Sequence, residues 1–213
     1  MQELEHTVAE LVRLVERRYH GKYRGLVVDN ADPERLGRLR LQVPSVLGDE
    51  VTTGWALPCV PYGGMAGQGL LAIPDVGAGV WVEFEEGDLE FPVWVGTFWS
   101  RPGGTSELPK ANEAGGGEAT VPSGATRKIF KSAGGHTIQI EDAEGEDMVL
   151  IHEAKNGHTV TLDAAGITIT DGAGNFVKMT ADSFTLHSGT AFTIDAPGQA
   201  VEIVAASIDF TKG

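Results

Sequence analysis

The sequence predicts a mainly β protein, and three observations carry that prediction. Short apolar strings recur through the last third of the chain, at residues 159–162, 167–170, 176–179, 184–186, 192–194, 201–203 and 208–210. Their starts lie 7 to 9 residues apart, and inside most of them the apolar side chains sit two apart, the period of a strand with one buried face. Glycine is abundant, at 29 of 213 residues, as short strands joined by tight turns require. Helical spacing is confined to the first 20 residues.

The N-terminal element is a helix over residues 3–18. Leu4, Val8, Leu11 and Val15 recur at the spacing of a coiled-coil seam, with Glu and Arg on the other faces. Two heptads are too short to stand alone. The seam therefore packs on its own domain, gathers at a threefold axis or docks on a partner.

Residues 21–100 read as a small Greek-key barrel. Strands are predicted at 23–29, 37–43, 54–59, 69–73, 79–85 and 91–98, separated by Asn30-Ala-Asp-Pro-Glu34, Pro44-Ser45, Pro61-Tyr-Gly-Gly64, Pro74-Asp75 and Glu86-Gly-Asp88. Residues 101–126 hold few large apolar side chains and read as an extended linker. Two more alternating strings, at 137–141 and 148–151, then lead into the repeat, which completes a third region at 127–213.

The repeat period limits the geometry. A strand of about five residues with a short corner forms one side of a coil. Either one chain winds a solenoid, or three chains each supply one side of a closed prism without free edges. In the prism the inward stripe is Val160, Leu162, Ile167, Ile169, Phe184, Leu186, Phe192, Ile194, Val201 and Ile203, continued by Ile208 and Phe210; around Phe176 the phase is ambiguous.

Composition narrows the function. A formal charge of −14 repels phosphate backbones, and Lys and Arg are sparse after Arg40, so nucleic-acid binding by the barrel aromatics is disfavoured. Cys59 is the single cysteine, which excludes an intrachain disulfide. Neither a membrane helix nor a secretory leader is evident, so synthesis in the cytoplasm is expected. His152, Glu153 and His158 lack zincin spacing, and Asp171-Gly-Ala-Gly-Asn175 reads as a solvated turn rather than a calcium loop. Glu83 and Glu85 read as a strand edge, not a glycosidase pair, and residues 63–69 lack the ending of a phosphate loop. We expect no catalytic, cofactor or metal site.

The barrel carries a recognisable order of turns, prolines and glycines. It runs Gly25-Leu-Val-Val-Asp-Asn-Ala-Asp-Pro-Glu-Arg-Leu-Gly-Arg-Leu-Arg-Leu-Gln-Val-Pro44, then Trp55-Ala-Leu-Pro58, Ile73-Pro-Asp-Val-Gly-Ala-Gly-Val-Trp-Val-Glu-Phe-Glu-Glu-Gly-Asp88 and Phe91-Pro-Val-Trp-Val-Gly-Thr97. This resembles the OB-fold domain of the central spikes of contractile injection systems, the phage baseplate assembly protein V and VgrG group. Gly135-His-Thr-Ile-Gln-Ile-Glu-Asp-Ala-Glu-Gly145 resembles the segment by which VgrG-type spikes begin their triple-stranded β-helix.

The resemblance implies a homotrimer: an OB collar, an intertwined needle and transient contact with a target membrane, assembled in the baseplate of a phage-tail-like particle or virion. The chain departs from the family in three ways. It has no room for a lysozyme domain, so wall cleavage does not transfer. The hub domains fused ahead of the barrel in VgrG are absent, which implies a separate trimeric hub protein at the N-terminal and OB side, with the helix seam as a hub or trimer contact. Some spikes end in a His-X-His pair that binds iron; here Ile208, Asp209, Phe210, Thr211 and Lys212 form the tip and imply a separate PAAR-like cap. The competing readings are a monomeric OB module with a β-solenoid tail that binds nucleic acid or glycan, and a wall hydrolase.

Overall fold

The computed structural model describes residues 4–8, 12, 18–113, 116–117 and 125–211. The chain divides into two compact units, Met1–Leu108 and Pro109–Gly213. The division falls inside the stretch read as a linker. Among the described residues no helix is long and apolar enough to cross a membrane.

The first unit is built on a five-stranded sheet of β1 (Tyr23–Asp29), β2 (Arg40–Gln42), β3 (Leu57–Pro58), β4 (Gly79–Phe84) and β5 (Pro92–Thr97). Its order is β2-β1-β4-β5-β3, with only β3 and β5 parallel. Alternation along the strands places Val27, Leu39, Leu41, Val43, Val80, Val82, Phe84 and Trp94 in one core. Trp94 extends through that core, and its indole N–H donates to the Gly37 carbonyl at 3.1 Å. Gly25 and Gly79 are needed where they stand: a Cβ on either would come within 2.8 Å of Val82 or Phe98, respectively.

The stretch 62–73 differs from the sequence reading. Residues 69–73 are not a strand, and residues 62–70 instead double back, with the Leu70 N–H donating to the Tyr62 carbonyl at 3.0 Å. A positive φ at Gly64, Gly67 and Gly69 breaks the extended run that the apolar composition suggested. The turn after β1 closes on Asp32, whose carboxylate accepts from the backbone N–H of Leu36 at 2.7 Å and from the Arg38 guanidinium at 2.7 Å.

Residues 4–8 are helical, and Leu4 and Val8 there are exposed by 71% and 50%. Leu11 and Val15, the rest of the expected seam, lie outside the described residues.

The second unit is a seven-stranded antiparallel meander. Its strands are β6 (Arg127–Lys131), β7 (Thr137–Glu141), β8 (Met148–Glu153), β9 (His158–Asp163), β10 (Gly166–Thr170), β11 (Phe176–Met179) and β12 (Phe184–His187), each paired with the next. Side chains close the turns: Asp163 accepts from the Ala165 N–H, and Asp171 from those of Ala173 and Asn175. The strings at 192–194, 201–203 and 208–210 lie outside any strand, and Phe192, Ile194, Val201, Ile203, Ile208 and Phe210 are exposed. Asp209 and Thr211 are exposed with them, and Lys212 lies outside the described residues.

Candidate assembly face

The seven-stranded sheet has two unlike faces. The pairing registers align Phe130, Ile138, Ile151, Val160, Ile169, Val177 and Leu186 in one row across all seven strands. A second row on the same face runs Ile140, Val149, Leu162, Ile167, Met179, Phe184. Directly opposed β-branched and aromatic side chains are the unit of sheet stabilisation. Here almost every member of both rows is apolar.

The opposite face carries Thr137, His152, Thr159, Thr170, Phe176 and His187 in one row, and Gln139, Leu150, Thr161, Thr168, Lys178 and Thr185 in the other. The ambiguous phase at Phe176 is thereby resolved. Val177 and Met179 join the apolar face, and Phe176 stacks on His187 on the polar one, ring centroids 4.8 Å apart.

Burial inverts the usual rule. The polar Gln139 is 0% exposed, whereas Ile151 on the apolar side is 48% exposed. A strap formed by residues 109–113 and 116–117 accounts for the burial of Thr137, Gln139, His152 and Thr159 on the polar face. The Asn112 N–H donates to Gln139 Oε1 at 2.9 Å, and Gln139 Nε2 donates to the Asn112 carbonyl at 3.1 Å. The Thr137 hydroxyl donates to Asn112 Oδ1 at 2.8 Å, and Asn112 Nδ2 donates to the Gly116 carbonyl at 2.8 Å. Such a network is tolerable in a low-dielectric interior because its members are paired. Gly116 lies on the His152 ring, where a Cβ would approach within 2.8 Å.

At the far edge of this face Glu141 is buried against Arg127, with which it forms an ion pair. Burial is the largest influence on Glu141 and pushes its carboxyl up. Hydrogen bonds from Thr126, Arg127 and the Ala143 N–H, with the Arg127 charge, outweigh it and hold the group below its ordinary value.

The structure thus brings Val160, Leu162, Ile167, Ile169, Phe184 and Leu186 onto one open face. Phe192, Ile194, Val201 and Ile203 are not part of that sheet. The sequence reading missed Phe130, Ile138, Ile140, Val149 and Ile151 as members of the same face. Their alternation was visible, but they precede the fixed repeat from which the stripe was taken. An open apolar face this wide is the signature of a surface that finishes its burial against another molecule. Full burial is worth about 1.5–3 kcal/mol per side chain of this size.

Comparison with known proteins gives the same division. Residues 23–99 match the family described as the type VI secretion system and phage-baseplate injector OB domain. Residues 128–193 match the phage baseplate V C-terminal trimerisation domain. The type VI secretion system spike protein VgrG4b of Pseudomonas aeruginosa is 28% identical over 132 residues, 58% of this chain. The chain spans about 15% of the length of that relative.

Proposed function

This chain belongs to the VgrG-like baseplate spike family, and from that premise we propose that it serves as the membrane-piercing needle of a contractile injection machine. Within that family its role is structural, it forms a homotrimer through the trimerisation domain, and it is assembled in a phage-tail-like baseplate. The observation that carries the needle reading is the pair of apolar rows left open on the meander. Three copies that turn those rows inward bury them along one axis and leave Lys178, Thr185 and His187 outward.

The work asked of such a part is stiffness under load rather than chemistry. Dense apolar burial repeated along the axis makes dissociation slow, so the trimer is kinetically trapped. The strings at 192–194, 201–203 and 208–210 find their strand partners in the other two chains, which accounts for their lack of pairing within one chain. In this reading a separate trimeric hub engages the N-terminal helix and OB side, and a PAAR-like cap engages residues 208–212. The target membrane is met transiently, and nucleic acid is not a partner.

Light scattering, repeated after unheated detergent treatment, tests this. A species of three times the 22.5 kDa chain mass that survives detergent is expected. A stable monomer overturns the needle and favours the OB module with a solenoid tail.

A further inference from the structure

The open face of the meander is accounted for by self-assembly. A concave apolar patch on the first unit is not. Residues 51–74 contain no Asp, Glu, Lys, Arg or His, the longest such run in a chain of formal charge −14. Within that run the loop at 62–70 is held in shape by its own bonds. Besides the Leu70-to-Tyr62 backbone bond, the Tyr62 hydroxyl donates to Gln68 Oε1 at 2.8 Å, and Met65 pairs with Gln68. Beside the loop lies an open cavity of about 410 Å³, lined by Leu36, Pro58, Val60, Tyr62 and Ile73 together with loop glycines. Leu71 belongs to the lining yet is 83% exposed, and Met65, next to the lining Gly64, is 72% exposed.

We propose that this patch is where the OB domain of one copy meets that of the next, Met65 or Leu71 of one loop seating in the neighbouring copy's cavity. The proposal rests on the trimeric reading. Four features of the molecule carry it. Copies of an acidic chain repel one another, and a surface free of charge is where they approach at least cost. The OB domain is covalently followed by a trimerisation domain, which raises its effective concentration to the millimolar range, so a modest contact suffices. A threefold contact is head-to-tail and needs a knob and a socket on each copy, and this patch supplies both. The loop is already shaped by hydrogen bonds, so little ordering cost opposes docking. Exposed apolar side chains elsewhere on this unit include Leu26 and Val28 on β1, which share a strand face with the charged Arg24.

The test uses the full chain with the exposed Cys59 replaced (Cys59→Ser), and Met65→Cys labelled with pyrene. Excimer emission from the trimer is expected, falling when labelled chains assemble with excess unlabelled chain. It should drop about tenfold when Leu71→Asp is added, because a carboxylate entering an apolar socket is left unpaired. Glu90→Cys, exposed and away from the patch, should give none. A trimer without excimer at position 65, or an excimer indifferent to Leu71→Asp, overturns the contact and leaves the needle standing. A monomer overturns both.

Discussion

Asn112 and Gln139 exchange two hydrogen bonds, the backbone of one against the side-chain amide of the other, so that Gln139 takes the place of a neighbouring strand. This single residue lets a loop lie on a polar sheet face as though it were paired to it. Gln139→Ala strands the Asn112 N–H and carbonyl together. The expected loss is about 1–3 kcal/mol for each group left buried and unpaired. Denaturant unfolding and amide exchange at Asn112 measure it; unchanged exchange would show that the strap is held by other contacts.

Leu186 and Thr185 are neighbours in sequence on opposite faces of β12. Leu186→Asp places a charge in the assembly face and should shift the mass in solution from trimer toward monomer. Thr185→Asp should leave the trimer intact. Equal behaviour of the two variants would mean that the apolar rows do not meet in the assembly.

Asp32 gives the OB domain a defined acid sensitivity. Hydrogen bonds from Arg38 are the main influence, and, with those from the N–H groups of Leu36, Glu34 and Arg38, they hold the carboxyl far below its ordinary value despite the opposing effect of burial. A group depressed in the folded state stabilises fully above its unfolded value of 3.8. That contribution is lost as the pH falls from there through the folded value. Asp32→Asn should therefore lower the melting temperature most at neutral pH, and the gap to the unaltered protein should close in acid. A gap that widens in acid would contradict the sign.

Glu141 behaves alike for the second unit, its contribution being lost as the pH falls below 4.5 toward the depressed folded value. Arg127→Met removes the partner charge and leaves a buried carboxylate under-compensated. The variant should unfold at lower denaturant concentration at neutral pH and approach the unaltered protein in acid, as read by circular dichroism.

Residues 192–210 test where detergent resistance originates. Phe192→Asp should leave the β6–β12 meander folded, because Phe192 lies outside its strands. In the needle reading the trimer then loses resistance to unheated detergent while persisting in buffer. Undiminished resistance would place the stability entirely in the meander.

Much of this architecture was legible in the sequence. Alternation marked β1, β4, β5 and β7–β12, since a strand with unlike faces writes a period of two. The alternation could not say which face closes within the chain. Thr137, Gln139 and Thr161 look like solvent-facing residues, and only the strap shows that they are buried. Asn112 lay in a stretch read as a linker because its pairing is to a side chain distant in sequence, which leaves no periodic trace. Leu70, Leu71 and Ile73 looked like a strand by composition, but their flanking glycines turned the chain.

The inversion of the meander has a consequence for biosynthesis. A freshly released chain has paired Asn112, Thr137 and Gln139 under its strap and still shows the cell its least soluble surface. Its lifetime in that form is set by how soon it meets two sisters, so sparse production should favour insoluble deposits or chaperone capture over finished spikes.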